Sequence, residues 1–84
     1  MYTLKELYQY KSEVESCKIA LENGQLMNCI VLVDDSEWYS DDDKDYLAMA
    51  IIDDIDKKRD DFPTAINYFN NSLSFIIDSI NEMA

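Results

Sequence analysis

A chain with one glycine and one proline among 84 residues has little with which to build the frequent tight turns of an all-β fold. Helices need less punctuation, and the same scarcity argues against long flexible linkers. The expected fold is mainly α: a compact three- or four-helix single domain over residues 1–84, with one short β-hairpin around Asn23-Gly24 as its variant. Apolar residues make up 48% of the chain, which is too many for a chain that stays disordered. A domain of this size buries about 60 to 65% of the surface its unfolded chain exposes. That allows one core and no separate catalytic domain.

The helices can be placed from local signals. Thr3-Leu4-Lys5-Glu6 fits a capping box, with Tyr2 and Leu7 placed to close a hydrophobic staple. Leu4, Leu7, Tyr8, Val14, Cys17 and Leu21 follow at an approximate 3-4 spacing, and Asn23-Gly24 can end the helix with Gly24 in the left-handed position. Asn-Gly between two apolar runs is also a hairpin signal, and Cys17, Ile19 and Leu21 alternate with Lys18, Ala20 and Glu22. A first helix to about Glu22 therefore stands beside a shorter helix followed by a hairpin. Residues 25–33 carry apolar groups on every side and are expected to be buried core.

Ser40 followed by Asp41, Asp42 and Asp43 repeats the capping signature, and carboxylates in a first turn face the positive end of the helix dipole. The inward face of this helix is read as Leu47, Ala48, Ile51, Ile52 and Ile55. Asp42, Asp45, Asp53, Asp56 and Asp60 fall along another side, and Lys57, Lys58 and Arg59 close the helix. Pro63 predicts a corner at residues 61–63. Beyond it, Phe62, Ile66, Phe69, Leu73, Ile76, Ile80 and Met83 recur at steps of four and three, a stripe that must dock on the domain or, as a homodimer, on a second copy of the chain.

Catalysis is hard to build from these residues. There is no histidine, no glycine-rich phosphate loop and no Ser or Cys paired with a base, so no enzyme and no catalytic residue is expected. Cys17 and Cys29 lack C-x-x-C spacing and sit among apolar residues, as small buried hydrophobes do. Asp41, Asp43 and Asp45 match positions 1, 3 and 5 of a calcium-binding EF-hand loop, but Tyr46 and Ile52 stand where that loop needs Gly and Glu. No metal and no cofactor is expected. Met1 to Tyr10 has no apolar core of a signal peptide and no apolar run reaches membrane length, so a cytoplasmic protein is the expectation.

The formal net charge of -11 is concentrated in residues 33–61 beside the only tryptophan. Such a field repels nucleic acid and anionic membranes and complements a basic protein surface. The candidate partner-binding residues are Asp34, Asp35, Glu37, Trp38, Tyr39, Asp41, Asp42, Asp43, Asp45, Asp53 and Asp56. Asp41 to Asp43 are explained largely by capping, and Asp53, Asp54 and Asp56 read as an ordinary solvated face. Asp34, Asp35 and Glu37 precede the helix, where no dipole offsets their repulsion. On a continuous helix Asp53, Asp56 and Asp60 would project charges about 4.5 to 6 Å apart along the axis, near the spacing of phosphates on a DNA strand.

In size, acidity and interleaving of Trp38 and Tyr39 with Asp, the chain resembles the small phage-type inhibitors that mimic DNA: anti-restriction proteins, uracil-DNA glycosylase inhibitors and some anti-CRISPR proteins. The resemblance extends to no family motif, so no residue role is carried over. It implies an inhibitor in a host cytoplasm whose partner is the nucleic-acid groove of a nuclease or other DNA- or RNA-binding complex. An immunity protein or antitoxin masking a basic toxin is the alternative, and a homo-oligomeric adaptor whose charge serves only solubility is a third.

Overall fold

Thr3 opens the first helix as the sequence predicts. Its hydroxyl accepts from the Glu6 N–H at 3.1 Å, and the Glu6 carboxylate accepts from the Thr3 N–H at 2.9 Å. The bond from the Thr3 N–H first, and the Thr3 side chain second, hold the Glu6 carboxyl below its ordinary range. The structure, a computed structural model, describes residues 1–83 and contains four helices: α1 (Leu4–Glu22), α2 (Leu26–Asp35), α3 (Asp41–Asp56) and α4 (Pro63–Met83). No strand occurs among the described residues, so the hairpin variant at Asn23-Gly24 is not formed.

What forms there instead is a helix stop. Gly24 has φ 75, its N–H reaches the Leu21 carbonyl at 3.1 Å, and the Gln25 N–H reaches the Ala20 carbonyl at 2.9 Å, the paired bonds of a Schellman motif. This turn folds α2 back along α1. The register follows from counting outward from Gly24: Glu13, eleven residues before it, lies opposite Ser36, twelve residues after it.

α3 ends with the same pair of bonds, Lys58 N–H to the Ile55 carbonyl and Arg59 N–H to the Asp54 carbonyl, but Lys58 takes the left-handed position at φ 57. The helix therefore stops at Asp56, and Asp60 lies outside it. The continuous Asp53, Asp56, Asp60 row expected from the sequence does not exist. Phe62, at φ 46, then turns the chain into α4.

The longest packing seam is α1 against α4, followed by α1 against α2, while α3 rests on α2 and α4. Leu7, Tyr10, Val14, Cys17 and Leu21 form the buried stripe of α1 at steps of three and four. Tyr8 and Leu4, placed on that stripe by the sequence, are exposed, and Tyr10 takes the inward position. α4 buries Phe69, Ile76 and Ile80, with Phe62 just before it, and half-buries Ile66 and Leu73. Its predicted stripe is thus used on the chain's own core from Phe62 to Ile80, while Met83, the last residue placed on it, is exposed. Cys17 and Cys29 are free, fully buried thiols, pushed up to about 12 and about 11 by burial.

Two expectations about α2 and α3 need correction. Residues 25–33 are not buried throughout: Cys29 and Val33 are, but Met27 and Val31 are exposed, because a helix lying on one neighbour and flanked by a second still shows a face to solvent. On α3 the inward residues are Leu47, Ile51 and Asp54, whereas Ile52 and Ile55 are exposed. Asp54 is therefore not part of a solvated face. It is 3% exposed, one carboxylate oxygen lies 3.8 Å from Arg59, and the other, Oδ2, has no hydrogen-bond partner.

Candidate partner-binding face

The acidic residues before and after the α2–α3 connector converge on one corner of the molecule. Asp34 and Asp35 are the last two residues of α2, Glu37 lies in the connector, and Asp41, Asp42 and Asp45 belong to the first half of α3. All six are exposed, and none forms an ion pair among the described residues. The two ends of the connector differ electrostatically. Asp41 and Asp42 sit at the positive end of the α3 dipole, where anions are stabilised. Asp34 and Asp35 sit at the negative end of α2, whose last turn contains no basic residue, so dipole and side chains reinforce one another.

The backbone beneath this charge is held from α1. Glu13 Oε1 accepts from the Ser36 hydroxyl at 2.9 Å and from the Glu37 N–H at 3.0 Å, and Ser36 itself is buried. Gln9 Nε2 donates to Glu13 Oε2 at 3.1 Å and to Glu37 Oε2 at 3.3 Å. These bonds fix a five-residue segment that lacks secondary structure of its own.

Trp38 and Tyr39 differ in burial and in neighbours. Trp38 is half-buried, its ring 5.4 Å from Tyr2, 5.4 Å from Tyr10 and 5.9 Å from Phe75. Tyr39 is buried, donates to Ser72 Oγ at 2.9 Å and packs between Tyr68 and Phe69. As a contact for a partner, Tyr39 is corrected: it is a core residue. Its neighbours Tyr68, Phe69 and Ser72 all come from α4, about thirty residues along the chain. Burial pushes its phenol far up from the ordinary tyrosine value.

Asp43 is half-buried and structural as well as acidic. Its Oδ2 accepts from the Ser40 hydroxyl at 3.0 Å and, more weakly, from the Ser40 N–H at 3.4 Å, while Oδ1 accepts from the Tyr68 hydroxyl. The Tyr68 bond, with those from Ser40, holds the Asp43 carboxyl below its ordinary range, and the same bond pushes the Tyr68 phenol up to about 12. Asp53 and Asp56 lie at the far end of α3, about 20 Å from Asp41 along the axis. Asp53 is paired with Lys57 at 3.0 Å, and Asp56 is exposed without a partner. The structure thus gathers Asp34, Asp35, Glu37, Asp41, Asp42 and Asp45 and separates Asp53 and Asp56 from them.

Besides a smaller depression of about 190 Å3 beside Glu13, Asp35 and Ser36, two open depressions flank the corner. One, of about 220 Å3, lies between α2 and α3 and is lined by Ile30, Val31, Asp34, Lys44, Asp45 and Ala48 among others. The other, of about 430 Å3, lies between the connector and α4 and is walled by Tyr2, Trp38, Asp43, Tyr68, Asn71 and Phe75 with Tyr39 and Ser72 beneath. Tyr2, Tyr68, Asn71 and Phe75 are not among the candidate binding residues read from the sequence. The signal was present, since Tyr68 and Phe75 are aromatic residues placed off the apolar stripe of α4.

Among the described residues no cluster of His, Cys, Asp and Glu is arranged to hold a metal ion, and no helix is long and apolar enough to cross a membrane. No protein-family model, no curated protein and no solved structure matches the chain.

Proposed function

We propose that this chain is an acidic binding protein that occupies the basic, nucleic-acid-holding surface of another protein and so inhibits it. The observation that carries this reading is the placement of three exposed carboxylates that form no ion pair among the described residues: Asp34 and Asp35 at the negative end of α2, and Glu37 on the connector backbone that Glu13 ties down. Charge serving solubility alone needs neither that position nor a fixed backbone, whereas a surface presented to a rigid basic groove benefits from both. With Asp41, Asp42 and Asp45 beside them, six carboxylates can replace phosphates and release the counterions a nucleic acid would release.

The test is competition. The wild-type chain and an Asp34→Lys, Asp35→Lys, Glu37→Lys variant are immobilised side by side and loaded with lysate from the organism that encodes the chain or its host. Proteins held by the wild type should be released by a DNA or RNA duplex, should be lost as salt rises through the physiological range, and should be missing from the variant. Retention indifferent to both duplex and salt, or equal on the variant, overturns the reading.

A further inference from the structure

The cleft between the connector and α4 has features of a binding site that the acidic corner does not account for. Its lining is largely aromatic: Tyr2, Trp38 and Phe75 form a row with centroid separations of 5.4 and 5.9 Å, and Tyr68 lines it from α4 about two turns before Phe75. Tyr2 and Phe75 are both exposed, with Phe75 56% accessible, so these rings present open faces as well as packing on one another.

Asp43 lines the same cleft, its carboxylate oriented by Ser40 and Tyr68. Oδ2 accepts twice and Oδ1 once, which leaves Oδ1 a free lone pair. Asn71 adds a side-chain amide, and no Lys or Arg lines the cleft.

This combination selects its ligand. An anion would meet Asp43 and the negative faces of the rings. A purely apolar group would cover Asp43 and Asn71 without satisfying them. A cation meets favourable charge on every wall, and a planar guanidinium can stack on an aromatic face while donating to a carboxylate and an amide oxygen at once, which a compact ammonium cannot. We propose that the cleft lined by Tyr2, Trp38, Asp43, Tyr68, Asn71 and Phe75 is a receptor for an arginine side chain of the partner protein. This rests on the reading of the chain as a binder of basic protein surfaces, and it supplies the short-range anchor that a diffuse acidic surface lacks.

The lone tryptophan lines the cleft, so its fluorescence reports occupancy directly. Wild-type protein is titrated with argininamide, lysinamide and citrullinamide, the last a neutral analogue of nearly the same shape, at matched ionic strength. Argininamide should change Trp38 emission saturably in the millimolar range, lysinamide more weakly, and citrullinamide should give no saturable change. Phe75→Ala, at a position outside the buried core, should weaken argininamide by about fivefold or more, with an unchanged helical circular-dichroism spectrum showing that the variant is folded. Asp43→Asn should weaken it further, although that variant also loses part of a helix cap.

Equal responses to argininamide and citrullinamide, the absence of saturation up to tens of millimolar, or no effect of Phe75→Ala overturns the assignment. A response to lysinamide equal to that of argininamide overturns the preference for guanidinium. The two readings fail separately: argininamide binding without competition by nucleic acid removes the nucleic-acid reading and keeps the cleft, and the converse removes the cleft alone.

Discussion

One carboxylate oxygen of Glu13 takes hydrogen bonds from both the Ser36 hydroxyl and the neighbouring Glu37 N–H, at 2.9 and 3.0 Å, and through them α1 sets the course of the α2–α3 connector. An anion thereby holds an anionic segment in place, because the groups presented to it are donors. Replacing Glu13 with Ala removes these two charge-assisted bonds and a third from Gln9, and leaves the buried Ser36 hydroxyl without its acceptor. The expected cost is about 2 kcal/mol, read as a lower urea midpoint with Trp38 emission as the probe. An unchanged midpoint would show that the connector holds itself.

Tyr39 separates a structural from a partner-binding role. Tyr39→Phe keeps the ring among Tyr68 and Phe69 and loses only the bond to Ser72, so stability should fall by about 1 kcal/mol. Tyr39→Ala empties the site and should cost about 3 to 5 kcal/mol. Partner retention by Tyr39→Phe should equal that of wild type in the competition assay, and a loss there without loss of stability would return Tyr39 to the interface.

Asp54 offers a stabilising substitution. Its Oδ2 is buried and unpartnered, and its 3.8 Å contact is to an Arg59 side chain that is largely in solvent, so desolvation of the carboxylate is poorly offset. Asp54→Leu continues the inward stripe of Leu47 and Ile51 on α3 with an apolar group and should raise stability by about 1 kcal/mol. A lower melting temperature would mean that the Arg59 pairing contributes more than its geometry suggests.

The parts of this fold that could be read in the sequence are those fixed by neighbours within one turn. Thr3 with Glu6 and Ser40 with Asp43 form both capping boxes as their spacing predicts, and the 3-4 stripe of α4 lies against the core. α2 was ambiguous because seven apolar residues in nine carry no period, and only its place between α1 and α3 decides which of them are covered. Asp54 was hidden between Asp53 and Asp56, although its step of three from Ile51 continues the buried stripe. Lys58 ended α3 in a conformation usually left to glycine, which put Asp60 outside the helix. In the candidate site, the charge was legible and the aromatic cleft was not, because the cleft is assembled from Tyr2, the connector and α4.

The bond from Tyr68 to Asp43 ties α4 to the start of α3 and should make stability depend on pH at both extremes. The Asp43 carboxyl titrates below its ordinary 3.8 in the folded chain, so its contribution is present above that value and is lost as pH falls through the folded value. The Tyr68 phenol moves the other way, from 10.0 up to about 12. Its contribution is full below pH 10 and is lost as pH rises towards about 12. Tyr68→Phe removes the bond while keeping the ring against Tyr39 and Tyr46. The difference in unfolding free energy between wild type and Tyr68→Phe should be about 1 kcal/mol at neutral pH, since both groups are partly exposed. It should shrink below pH 3.8 and again above pH 10. A difference that stays constant across the whole range would assign the effect of the substitution to packing and not to the bond.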